Sequence, residues 1–341
     1  MNSTLTALKG VKVGHSTHAD KLTGCTVVLF DRPYPVAYKS YGGDAATFNV
    51  ENMKSGSWDY MRSGLFITGG SYYGLSCASS IMEFMVQKKI GFKVGNVINP
   101  ALSGAVVFDL GIYTAQYKSG YGMEAAKNAS GKPVEAGNVG AGTGTTVGKF
   151  SYTKNNERLS MKAGVGSARI DLGNGVTVCA LSVVNALGNV VLPDGNVLAG
   201  NRHDEPKPKF RKFEEASDRF TGKEANTTIS IVGINVDLES HSNYEAIAHM
   251  ASQGQTRTIN PINTSRDGDT AFVFSTEEVK DFLSPLGKYV VNAGWQSLKI
   301  DIIGQAAANA VQQSIYDACR KAGKISFDGA YKKVIPSCND Y

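Results

Sequence analysis

Apolar and polar positions fall in short blocks along the chain, and the blocks predict a mixture of strands and helices. Val11 and Val13 alternate with polar neighbours, His15-Ser16-Thr17-His18 breaks the pattern, and Cys25-Thr26-Val27-Val28-Leu29-Phe30 is a buried-looking run. Residues 8–31 therefore read as strand, turn, strand. Leu65-Phe66-Ile67-Thr68 is a short apolar strand ending in Gly69-Gly70, and Leu75, Ala78, Ile81, Met82 and Met85 follow with the spacing of one helix face. Residues 105–110 and 176–185 form further apolar strands, the second ending in Asn185, and Tyr121-Gly122-Met123-Glu124-Ala125-Ala126 predicts a short helix between them. Residues 227–236 predict a strand. Ser242-Asn243-Tyr244-Glu245 has capping-box spacing, and Tyr244, Ile247, Ala248 and Ala251 make the next helix amphipathic. Thr264-Ser265-Arg266-Asp267-Gly268-Asp269-Thr270 reads as a tight acidic turn before a strand at 271–275, and a helical pattern covers 295–321. No βαβ rhythm connects these elements, which predicts layered α+β rather than a doubly wound sheet.

Composition narrows the class. A chain of 341 residues, 42% hydrophobic and 19% charged, is long enough to bury a sizeable core as a soluble protein. Abundant Gly (38) with scarce Pro (10) points to tight turns and close backbone approaches instead of disordered linker. The net charge of +5 is scattered. Gln87-Lys88-Lys89 holds one lysine pair, and Lys207, Lys209, Arg211 and Lys212 share one polar segment, so no nucleic-acid partner is expected. No apolar run reaches the roughly 18 residues of a membrane span, so no membrane partner is expected. Five dispersed cysteines without a CxxC, and residues 1–6 without a charged-then-apolar leader, predict reduced thiols and a cytoplasmic location. Residues 199–225, with His203-Asp204-Glu205-Pro206-Lys207-Pro208-Lys209, read as an exposed, poorly structured connector.

The glycine-rich stretch Gly137-Asn138-Val139-Gly140-Ala141-Gly142-Thr143-Gly144-Thr145-Thr146-Val147-Gly148-Lys149 invites a nucleotide, but the letters do not fit. A Walker A loop needs Gly where Thr143 stands and Ser or Thr where Phe150 stands. A dinucleotide fingerprint begun at Gly140 or Gly142 needs Gly where Thr145 or Val147 stands. His241 and His249 are eight apart without an HExxH, and Asp267-Gly268-Asp269 lacks the rest of a calcium loop. No cofactor and no metal is expected. Cys179, in an apolar run, reads as core. Gly69-Gly70-Ser71-Tyr72-Tyr73-Gly74 is a strand-to-helix elbow, either a packing turn or a helix start that holds an anion or a carbonyl oxygen.

Amide hydrolysis needs a nucleophile, a base for its proton, donors for the oxyanion and an acid for the leaving amine. A chain-terminal Thr supplies hydroxyl and base in one residue, because its α-amine titrates at about 7.7–8.0. Asn226-Thr227-Thr228 follows the polar connector, where an internal cut is tolerable, although local sequence alone reads it as an ordinary strand entrance.

Ordered motifs along nearly the whole chain change that reading. They are Gly14-His15 with Thr23-Gly24-Cys25-Thr26, Thr68-Gly69-Gly70-Ser71, Val107-Phe108-Asp109-Leu110-Gly111, residues 137–144, Asn226-Thr227-Thr228-Ile229 and Asp267-Gly268-Asp269-Thr270. Together they resemble the DmpA-type P1 peptidase family, which includes L-aminopeptidase/D-esterases, β-peptidyl aminopeptidases and nylon-oligomer endohydrolases. The resemblance implies a single α+β domain built as a four-layer αββα sandwich of the N-terminal-nucleophile-hydrolase type. It implies autocleavage before Thr227 into 1–226 (α subunit) and 227–341 (β subunit), which stay together and assemble as a homo-oligomer. Thr227 matches the family nucleophile, Lys149 and Asn185 the active-site lysine and amide of the nylon hydrolases, and Asp267 and Asp269 their acidic pair. Where those hydrolases carry a Tyr that helps the oxyanion, this chain has Phe108, which cannot donate. That donor is then lost, replaced by Tyr72 or Tyr73, or unnecessary. The expected activity is an aminopeptidase acting on peptides, amides or esters. The alternatives are an endohydrolase of 6-aminohexanoate (nylon) oligomers with the same nucleophile, an uncleaved non-catalytic small-molecule binding protein, and a nucleotide binder.

Overall fold

The computed structural model describes residues 2–57, 59–110, 117–153, 157–203, 210–216, 226–280, 294–327 and 333–341. Two sheets share one long strand. β1 (Val11–His18) pairs antiparallel with β2 (Thr23–Ser40), and residues 25–29 of β2 pair antiparallel with β3 (Met61–Thr68). β4 (Leu102–Val106) lies parallel to β3 and carries the short strand Thr47–Phe48 on its other side. After a register shift between Leu29 and Tyr34, residues 36–40 of β2 leave for the second sheet. That sheet runs β5 (Val165–Gly173), β6 (Val176–Asn185), β7 (Thr227–Val236), β8 (Thr270–Val279) and then β2, with β7 and β8 parallel and the other pairs antiparallel.

Strand periodicity sorts the side chains into three apolar layers. Val28, Phe30, Leu65 and Ile67 from the first sheet meet Leu181, Val183, Ile229, Ile231, Phe272 and Phe274 from the second. The opposite face of the first sheet packs Val27, Leu29 and Phe66 on α1 (Cys77–Gln87) and α2 (Gly120–Lys127). The opposite face of the second packs Val178, Ala180, Val232 and Ile234 on α3 (His241–Thr256) and α4 (Gly294–Lys321). The result is the expected α+β sandwich with helices outside two facing sheets. All five cysteines are free. No helix among the described residues is long and apolar enough to cross a membrane.

Several local readings change. β1 continues through His15–His18, because these residues pair with Thr23–Thr26, and the turn falls at 19–22. β2 outruns its apolar core because it serves both sheets, and its Pro33 sits in the unpaired crossing where a missing N–H costs no ladder bond. The strand expected at 105–110 is shifted to Leu102–Val106, and Phe108, Asp109 and Leu110 leave the sheet. The capping box at Ser242 and Glu245 does not form. The side chain of Asn243 instead donates to the Leu238 carbonyl at 2.7 Å, and Glu245 accepts from Ser55 N at 2.9 Å. Within the expected connector, Asn201 is fully buried and its amide donates to the Gly148 carbonyl at 2.7 Å. Residues 204–209 and 217–225 of that connector, and Gly111 of the motif at 107–111, lie outside the described residues.

Candidate active site

β6 ends and β7 begins where the inter-sheet layer opens. Their register sets Asn185 directly opposite Thr227, two residues beyond the Val183–Ile229 core pair, so the two polar side chains share the face that faces the other sheet. A cleft of about 310 Å³ opens there, lined by Thr227, Asp44, Tyr72, Tyr73, Val106, Phe108 and Leu110 among others. Thr227 itself is only 5% exposed.

The peptide bond before Thr227 is held from two sides. The Thr227 hydroxyl donates to the Asn226 carbonyl oxygen at 2.5 Å, and the backbone N–H of Gly268 donates to the same oxygen at 2.7 Å. Asn226 N donates to the Arg266 carbonyl at 3.1 Å, so residue 226 lies as a bridge along the 266–268 segment. Gly268 is needed there, since a Cβ would stand 2.9 Å from Thr227 Oγ1.

The acidic turn is buried, not a solvated hairpin. Asp269 accepts from Thr228 N at 2.6 Å and from Asn263 N at 3.0 Å, and Asp267 Oδ2 accepts from Thr264 N at 2.7 Å. Asp267 Oδ1 is buried and accepts no hydrogen bond among the described residues. Burial pushes both carboxyls up, and together with the neighbouring charge of Asp267 it brings Asp269 to about 7. Buried Lys149 opposes the shift of both and of Asp109, which places its ammonium in the same electrostatic cluster. The adjoining Gly148 has a φ of +70° and packs its Cα against the backbone of Gly200 and Asn201, where no Cβ fits.

The glycine-rich stretch is buried from Gly140 to Phe150 and serves as a scaffold, not a phosphate cradle. Its Thr146 N–H donates to Asn185 Oδ1 at 3.2 Å, which turns the amide so that Nδ2 donates to the Phe108 carbonyl at 2.8 Å. The second N–H of Asn185 meets no acceptor among the described residues. The elbow holds an anion, and it is the chain's own: Asp109 accepts from Gly70 N at 2.7 Å and from the Thr23 hydroxyl at 2.6 Å. Tyr72 and Tyr73 are 67% and 72% exposed at the cleft mouth, and the Tyr72 hydroxyl points to Asp44 at 3.4 Å.

The structure thus gathers Thr227, Asn226, Asn185, Lys149, Asp267 and Asp269 at one strand end, with Tyr72, Tyr73 and Phe108 around the cleft. Sequence reasoning passed over Asp109, Gly268 and Asp44. The first two stood inside quoted motifs, but their roles depend on backbone contacts with distant residues. Asp44, at the end of the turn-like stretch Tyr41-Gly42-Gly43-Asp44, carried no signal.

The shifted carboxyls have a measurable consequence. A carboxyl whose pKa rises on folding binds its proton more tightly in the folded state, so stability is greatest below the unfolded value of 3.8 and falls as pH rises through about 7. Asp269→Asn, made in the uncleavable Thr227→Ala chain, should flatten that decline in urea midpoints between pH 4 and 7. Parallel curves for the two chains would show that Asp269 titrates as an ordinary carboxylate.

Residues 3–331 match the sequence profile of peptidase family S58. An aminopeptidase of Mycobacterium tuberculosis, described as uncharacterized, is 28% identical over 355 residues, covering 98% of both chains. A 6-aminohexanoate-oligomer endohydrolase of Paenarthrobacter ureafaciens is 26% identical over 323 residues, covering 92% of this chain and 84% of that one. Among solved structures, the L-aminopeptidase D-Ala-esterase/amidase of Ochrobactrum anthropi, described as a variant of the Ntn-hydrolase fold, superimposes with a TM-score of 0.70 at 18% identity over 98% of this chain and 91% of that one. A β-aminopeptidase of Burkholderia gives 0.69 at 17% identity over 99% and 91%. The chain is a member of peptidase family S58 and shares the fold of these two aminopeptidase structures.

Proposed function

We propose that the protein is a self-processing aminopeptidase whose nucleophile is Thr227, freed by cleavage of the Asn226–Thr227 bond. The observation that carries this reading is the Asn226 carbonyl, polarised at once by the Thr227 hydroxyl and the Gly268 N–H. In the precursor, Oγ1 attacks the carbonyl carbon, the C–N bond breaks as its nitrogen is protonated, and an ester joins residue 226 to Thr227. Water hydrolyses that ester to give 1–226 and a free Thr227 amine. Asp267 Oδ1, buried without a donor among the described residues, is then available to the new ammonium, and Lys149 opposes the upward shift of both carboxyls. In turnover the α-amine takes the hydroxyl proton and returns it to the leaving amine, through an acyl-enzyme. Phe108 offers no phenol here, and Gly268 N–H and Asn185 Nδ2 stand in for it as oxyanion donors.

A second observation favours exo over endo action. Asp44 is held beside the nucleophile by the acidic turn itself: Asp44 N donates to the Asp267 carbonyl at 2.9 Å, and Gly43 N to the Thr264 carbonyl at 3.1 Å. Asp44 is the charged residue in a cleft lined otherwise by Ser71, Thr227 and aromatic or apolar side chains, which suits a substrate ammonium a few bonds from the scissile carbonyl. Rates for L-aminoacyl-p-nitroanilides, β-peptides and N-capped 6-aminohexanoate oligomers should rank free-amine substrates first. Asp44→Asn should reduce the kcat/KM ratio of free-amine to capped substrates by roughly 1.5- to 5-fold, the scale of an exposed ion pair. Faster turnover of capped oligomers would instead establish the endohydrolase.

A further inference from the structure

Lys162 is a fully buried charged side chain that the proposed chemistry leaves without a task. It is fully buried, and its ammonium donates to the carbonyls of Gly142 at 2.7 Å, Thr145 at 3.0 Å and Ala163. Three donors meet three acceptors, so a charge that burial disfavours is fully solvated by backbone. Burial still pulls its pKa down to about 7, which marks an expensive position for a residue needed only to fill space.

One of those carbonyls connects it to the site. The Thr145 carbonyl and the Thr146 N–H belong to a single rigid peptide unit. Lys162 holds the oxygen of that unit, and the other edge donates to Asn185 Oδ1 at 3.2 Å. Asn185 in turn stands opposite Thr227. We propose that Lys162 is a positioning residue: through the 145–146 peptide it fixes the Asn185 amide with Oδ1 turned away and Nδ2 turned toward the Phe108 carbonyl and the substrate oxygen. Its second anchor, Gly142, begins the same loop, so the ammonium spans the segment and keeps the peptide from rotating. A charge on Lys162 also draws electron density toward the Thr145 oxygen, which makes the Thr146 N–H a better donor to Asn185. The role rests on the hydrolase reading, since it acts on a group that stabilises an oxyanion.

The test is a double-mutant cycle on the processed enzyme, with Lys162→Met, Asn185→Leu and the pair. Lys162→Met should lower kcat about tenfold or more with little change in KM, and should slow precursor cleavage by less. In the Asn185→Leu background the same change should cost almost nothing further, because the group it positions is gone. Equal losses in both backgrounds would reduce Lys162 to a packing residue and overturn the proposal. So would an unchanged kcat. If Lys162→Met fails to fold, Lys162→Arg carries the same cycle: a lowered kcat that vanishes beside Asn185→Leu supports positioning, and additive loss refutes it. Thr227→Ala run alongside separates the two levels, since retained hydrolysis there would refute the nucleophile itself, whatever Lys162 does.

Discussion

Thr227→Ala is expected to leave the chain whole and to abolish amide hydrolysis. Wild-type protein should run on a denaturing gel as two pieces of about 24 and 12 kDa, from scaling the 36.3 kDa of 341 residues by 226 and 115. The smaller should begin Thr-Thr-Ile by Edman sequencing. In the alanine chain the carbonyl of residue 226 keeps its Gly268 donor but loses the hydroxyl that rests on it, so no acyl shift can start. Turnover should fall by at least about 10⁴-fold, the scale on which removal of a nucleophile is felt in hydrolases that use one. The fold should survive, because Ile229 and Ile231 on the same strand carry the apolar packing between the sheets. Thr227→Ser keeps a hydroxyl and should cleave more slowly without losing the two-band pattern. Two bands from the alanine chain, or retained hydrolysis by it, would move the nucleophile elsewhere.

How much of this was readable in advance differs by element. The strand ending at Asn185 and the strand beginning at Thr227 were both legible, because each is a long apolar run bounded by polar residues. Their juxtaposition was not, since antiparallel register is a tertiary fact that either segment alone leaves open. Residues 107–110 were misread for the opposite reason. Val107 is apolar and buried, but Asp109 must leave the ladder to hold the elbow through Gly70 and Thr23, and that demand comes from partners 39 and 86 positions away. The acidic stretch was legible as a tight turn, but nothing in Asp-Gly-Asp told that it is buried. Here the residues around Asp267 and Asp269 are stitched to 41–44 and to the start of β7, and burial changes what the carboxyls can do. Gly268 carried a signal only in retrospect, since a glycine between two acids commonly marks a turn and nothing more. The connector divides likewise. Asn201 is a polar residue in a polar segment, yet it is core, because its amide satisfies the Gly148 carbonyl beside Lys149.

Asn185→Leu is the second large effect, and it probes the oxyanion site without touching the nucleophile. Leucine preserves the branching and volume of the amide and removes both its donors. Two consequences follow from the geometry. The oxyanion loses Nδ2, which by the usual worth of one such donor lowers kcat by about 10²–10³-fold. The Thr146 N–H and the Phe108 carbonyl lose their shared partner, so the buried loop forfeits two hydrogen bonds and roughly 1–3 kcal/mol of stability. Autocleavage should slow by less than turnover does, because the Asn226 carbonyl retains the Gly268 N–H at 2.7 Å, whereas a diffusing substrate has no covalent tether to keep it there. Time courses of precursor loss and steady-state kinetics on the same preparation give the two ratios directly. Asn185→Asp offers the sharper contrast: it keeps an acceptor for Thr146 but places a carboxylate where negative charge develops, so its kcat should fall below that of the leucine enzyme. An aspartate variant faster than the leucine one would mean that Asn185 serves the loop and not the oxyanion.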